Sequence, residues 1–125
     1  MMRTPLKKVR YLGSAKEGAD HFWMQRVTAV ANLFLVIFLV WLISALTGAS
    51  HQTVKHMLAH PLVALALCAL MISGTIHMRL GMQVIIEDYV HSEGAKILLL
   101  MLNTFFAAAI ALASIFSILK LSFGA

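Results

Sequence analysis

A single cysteine, Cys68, leaves this chain no disulfide, no Cys-x-x-Cys site and no thiolate set for an iron–sulfur cluster. Its place inside an apolar stretch makes it a buried filler. Charge is scarce too: 12% of 125 residues are Asp, Glu, Lys or Arg, and only 5 of them are acidic. No glycine-rich nucleotide fingerprint, internal repeat or low-complexity tract is present. A chain so small and so poor in catalytic groups is not an enzyme on its own.

What is abundant is apolar surface. At 61% hydrophobic, the chain carries more than a soluble domain of its size can bury. The apolar residues fall in three blocks, about 27–48, 61–86 and 97–123, each long enough to cross a hydrocarbon core as a helix of roughly 20 residues. The expected fold is an all-α membrane protein with three transmembrane helices. Residues 1–26 form an N-terminal segment and interfacial anchor, and residues 27–123 the membrane domain. The first block is longer than a secretory signal core and has an extended leader, so it is expected to be retained as a helix.

The net charge of +5 points to lipid and not to nucleic acid, because of where it sits. Arg3, Lys7, Lys8, Arg10, Lys16 and Arg26 all precede the first block, while Lys55 alone marks the first loop and Lys120 the C-terminal end. The positive-inside bias therefore predicts a cytoplasmic N-terminus. Trp23 and Arg26 suit an interfacial belt, and residues 1–20 read as a surface segment ordered by a partner. His51, His56 and His60 lie in the first loop with no carboxylate or cysteine near them, and read as a solvated linker. The third block, with Asn103, Thr104 and its run of alanines, reads as a packing helix.

Ionisable groups inside a bilayer are costly and usually face a cofactor, a cavity or a partner. The second block holds two, His77 and Arg79. Eleven helical steps from His77 to Asp88 put the imidazole roughly 16 Å below the helix end, near mid-membrane. Ser73, Gly74, Gly81, Val84 and Asp88 fall within roughly 60° of it around the helix. Two readings follow: a flat macrocycle packed over Ser73, Gly74 and Gly81 with His77 as iron ligand, or close helix–helix packing through the same glycines. For a heme, this chain is badly placed to supply a second axial ligand. His60 lies roughly 25 Å away along the axis, and His21 and His91 sit at the interface, so that ligand is expected from another subunit. Arg79 lies on nearly the opposite face and is expected to snorkel toward the headgroups.

At the helix end, Glu87-Asp88-Tyr89-Val90-His91 emerges on the same side as Trp23 and Arg26. A quinone head group needs donors to its carbonyls at this level, and Tyr89 can donate while Asp88 and His91 orient it or pass protons. An interfacial tyrosine beside helix-ending charges is the plainer alternative.

Arg26-x-Thr28-Ala29, followed by His77-x-x-x-Gly81 and Asp88-Tyr89, resembles the small hydrophobic membrane anchor subunit of succinate dehydrogenase in respiratory complex II. His21-Phe22-Trp23-Met24-Gln25-Arg26 and the Gln83 to His91 run look most like alphaproteobacterial members, and the likeness covers residues 18–96. The resemblance implies half of a heme-binding bundle completed by the cytochrome b membrane subunit, with His77 as an axial ligand of heme b. It further implies that Tyr89 bonds ubiquinone with Asp88 in support, and that Arg26 lies near the heme propionates or a lipid. FAD and the iron–sulfur clusters would reside in flavoprotein and iron–sulfur partner subunits, and the assembly would occupy a bacterial cell inner membrane. A heme-free anchor of a related dehydrogenase or fumarate reductase, or a small transporter component, are the alternatives.

Overall fold

The computed structural model describes residues 17–124. Most of the basic leader read from the sequence therefore lies outside the described residues. Four helices follow in order: α1 over Glu17–Leu46, α2 over His51–Ala59, α3 over Pro61–Tyr89 and α4 over Glu93–Ser122. No strand occurs among the described residues. The helices α1, α3 and α4 are long and apolar enough to cross a membrane. At 1.5 Å per residue each runs about 45 Å, so its ends reach past a 30 Å hydrocarbon core into the interfaces.

Local chemistry sets the joints. Gly48, at φ 78°, takes the left-handed conformation that closes α1, and Ser50 then caps α2 by accepting the amide of Thr53. His60 caps α3 through Nδ1, which accepts the Leu62 amide at 3.2 Å, and Pro61 stands at the first helical position. Ser92 caps α4. The segment read as a solvated linker thus contains a nine-residue helix. Val54, Met57, Leu58 and Ala59 are its half-buried residues, at a spacing that turns one face of α2 toward α3 and α4.

Helix α3 lies between α1 and α4. The seam of α1 is a heptad pattern of buried or half-buried residues: His21, Gln25, Thr28, Asn32, Leu35, Leu39, Leu42 and Leu46. Its lower half is all leucine and its upper half all polar. α1 begins at Glu17, well before the apolar block at Val27, because His21 and Gln25 continue the helical period while breaking the hydropathy run. Across the other seam, Asn103 Nδ2 donates to the carbonyl of Arg79 at 2.9 Å. The outer faces stay apolar and exposed, Phe34 by 68% and Leu112 by 71%, which only lipid or other membrane subunits can cover.

Candidate functional site

The upper, polar half of the α1–α3 seam brings together groups able to carry chemistry. His77 Nδ1 lies 3.1 Å from Thr28 Oγ1, a contact across 49 residues of sequence. The Thr28 hydroxyl also lies 2.7 Å from the Met24 carbonyl and 3.2 Å from that of Gln25. A hydroxyl has one proton, and the short contact to Met24 takes it. The oxygen is then left to accept from His77, which puts the imidazole proton on Nδ1 and leaves the Nε2 lone pair free. Ser73 Oγ donates to the Thr28 carbonyl at 3.3 Å, fixing the same two helices one turn below.

Above His77 a groove of about 300 Å³ runs between the helices, with His21, Gln25, Arg26 and Val84 among its lining residues. Two of its lining residues carry unmet polar atoms, His21 Nε2 and Gln25 Oε1, both buried with no hydrogen-bond partner among the described residues; Asn32 Oδ1, one turn beyond Thr28 on the same face of α1, is a third. Buried polar atoms in native proteins are normally satisfied, so unmet ones along one line call for a ligand, water or partner. The Arg26 guanidinium rests over the Phe22 ring at 5.0 Å, a cation–π contact at the rim.

The glycines differ from one another. A Cβ on Gly74 would meet nothing of this chain within 4 Å, whereas one on Gly81 would stand 3.6 Å from Gln25 Nε2. The surface at Gly74 is therefore open, and that at Gly81 is backed by α1.

Tyr89 closes the last turn of α3 and is 78% exposed, and Asp88 beside it is exposed as well. Neither touches His77, which lies roughly 16 to 18 Å down the same helix. Gln83 Nε2 donates to Glu87 Oε1 at 2.9 Å one turn earlier, and His91 follows the helix end. Arg79 does not climb toward the headgroups as expected. Its Nε donates to Thr104 Oγ1 at 3.3 Å, because α4 presents a hydroxyl at that level and satisfies the group there.

In the sequence Thr28 and Gln25 stand out only as parts of motifs, and Asn32 not at all. Polar residues at 21, 25, 28 and 32, recurring every three or four positions at the start of an apolar span, were the signal that marks this face.

A family model for the succinate dehydrogenase/fumarate reductase transmembrane subunit matches residues 1–112. A Paracoccus denitrificans protein, the succinate dehydrogenase hydrophobic membrane anchor subunit, is 28% identical over 122 residues, covering 98% of this chain and 94% of its own. The equivalent subunit of Rickettsia bellii is 32% identical over 88 residues, 70% of each chain. The succinate dehydrogenase membrane anchor subunit of Reclinomonas americana is 29% identical over 94 residues, 73% of this chain and 78% of its own. No solved structure matches.

Proposed function

The chain belongs to the succinate dehydrogenase/fumarate reductase transmembrane subunit family, and from that footing we propose that it carries one axial ligand of a heme b and part of a quinone-reduction site. As a membrane anchor subunit of succinate dehydrogenase it would fix a flavoprotein and an iron–sulfur subunit to a bacterial inner membrane, beside a cytochrome b subunit. Its N-terminus would face the cytoplasm, as the basic leader favours.

The observation that carries this reading is the Thr28–His77 pair. An iron ligand must offer a nitrogen lone pair, and histidines that do so commonly give their other N–H to an acceptor that fixes the ring. Thr28 stands in that place, inside the span, where the cost of an unpaired imidazole is high.

The residues present also fit the rest of the group. His21, Gln25 and Arg26 line the groove above His77 and bring N–H donors whose bonds propionate carboxylates would accept, the Arg26 guanidinium foremost. The open surface at Gly74 leaves room for a ring face. A heme bound there would hold one electron at a time near the quinone. The second ligand would come from the cytochrome b subunit, since His60, at the start of α3, lies 17 residues and roughly 25 Å from His77, and His21 lies two turns, roughly 10 Å, above Thr28 on α1.

At the helix end the Tyr89 phenol would donate to a quinone carbonyl, with Asp88 holding it in place or relaying a proton from water. Their exposure is what a shared pocket requires: other subunits would supply the remaining walls. Purification through a tag on this chain tests the whole reading. It should bring down a flavoprotein, an iron–sulfur protein and a second membrane polypeptide in equal amounts. A chain that purifies alone, with transport activity in vesicles, would contradict it.

A further inference from the structure

Arg79 places a cation inside the lipid span with only part of its charge answered. It lies ten residues before the Tyr89 end of α3, which puts its Cα roughly 8 Å inside a 30 Å hydrocarbon core centred on that helix. Thr104, which accepts its Nε, stands eleven residues into α4, roughly 9 Å inside the same edge. The side chain is thus held sideways at depth, beyond reach of lipid phosphates. Its terminal nitrogens have no acceptor among the described residues, and the residue is exposed on this chain. A guanidinium left so in hydrocarbon is strongly unfavourable without a counter-charge.

This chain cannot supply that charge. Its acidic residues are Glu17, Asp20, Glu87, Asp88 and Glu93, all at helix ends. A second copy would set guanidinium against guanidinium. The adjoining surface suits a helix instead: Thr75, Thr104, Ala107, Ala108 and Ala111 line a shallow groove of about 360 Å³ between α3 and α4. Small side chains of this kind let a neighbouring backbone come close in lipid. It faces away from His77, on nearly the opposite side of α3.

We infer that this groove seats a transmembrane helix of a different subunit, one that carries an Asp or Glu at the level of Arg79. The inference rests on the anchor reading, which provides that other membrane subunit. The pairing ties α3 and α4 to the partner from the side remote from the heme face.

The test uses the intact, detergent-purified complex with Arg79→Lys, treated with a membrane-permeant carbodiimide. The reagent activates a carboxylate in contact with the introduced amine; an amide forms between the chains and the reagent leaves as its urea. Mass spectrometry should find residue 79 joined to an acidic residue in a transmembrane helix of another subunit, with no such link in Arg79→Met. Arg79→Met, which strands the carboxylate, should also lower recovery of that subunit after a stringent wash by about tenfold. A photoreactive side chain at Ala108 should label a second polypeptide. An intact complex with no cross-link at 79, or with lipid as the only adduct at 108, overturns this inference alone. Material lacking every other subunit overturns the anchor reading and this inference with it.

Discussion

Thr28 Oγ1 and His77 Nδ1, 3.1 Å apart across the α1–α3 seam, form the contact that joins the fold to the proposed heme site. Thr28 accepts because its own proton is spent on the Met24 carbonyl at 2.7 Å. An acceptor on Nδ1 makes the opposite nitrogen a better donor to iron and favours the oxidised metal. Thr28→Val keeps the shape and removes the acceptor. It should leave heme bound but raise its midpoint potential by roughly 20 to 65 mV, the one-electron equivalent of a neutral hydrogen bond of about 0.5–1.5 kcal/mol. Thr28→Ser should restore the native value. Redox titration of the purified complex checks this, and an unaltered potential in Thr28→Val would remove Thr28 from the account.

The glycines give a second test that needs no redox assay. A Cβ at Gly74 would meet nothing of this chain within 4 Å. Packing inside the chain therefore predicts that Gly74→Ala is silent, whereas a ring lying against that surface predicts heme loss with the subunits still assembled. Gly81→Ala should be tolerated in either case, since its contact with Gln25 at 3.6 Å is ordinary. Pyridine hemochrome content per flavin distinguishes the outcomes.

Tyr89→Phe removes a donor from an exposed phenol at the end of α3. Losing a hydrogen bond to a carbonyl that gains charge on reduction costs about 1.5–3 kcal/mol, or roughly ten- to a hundredfold in rate. Quinone reduction should fall by that factor while succinate oxidation by a soluble dye holds steady. Equal loss of both activities would count against a quinone role for this residue.

Asn103 clasps α4 to α3 through the Arg79 carbonyl at 2.9 Å. That carbonyl is also part of a helix, so the bond adds only modestly, and such bonds in membranes average about 0.6 kcal/mol. Asn103→Ala should lower stability by about 0.5–1.5 kcal/mol in a micelle unfolding assay. A loss beyond about 3 kcal/mol would mean that Asn103 holds more than this one contact.

Three spans were legible from hydropathy alone, because a backbone in lipid has few ways to satisfy itself. The position of His77 inside a span was legible too, and the structure adds its partner Thr28. The polar half of the α1 seam was not: Gln25, Thr28 and Asn32 read singly as unremarkable, and only the packing of α1 on α3 shows that they share His77's face. The helix in the first loop was hidden by its histidines, and it becomes visible once Ser50 is seen as its cap. Arg79 was placed on the correct side of α3, but its sideways bond to Thr104 depends on a neighbour 25 positions away that no local pattern announces.

The most direct measurement is the absorption spectrum of the complex carrying His77→Ala, with the flavoprotein and iron–sulfur subunits still copurifying. Coordination through Nε2 predicts loss of the low-spin, bis-histidine heme bands. Full heme content with an unchanged spectrum would contradict the assignment and leave His77 as a helix-packing residue.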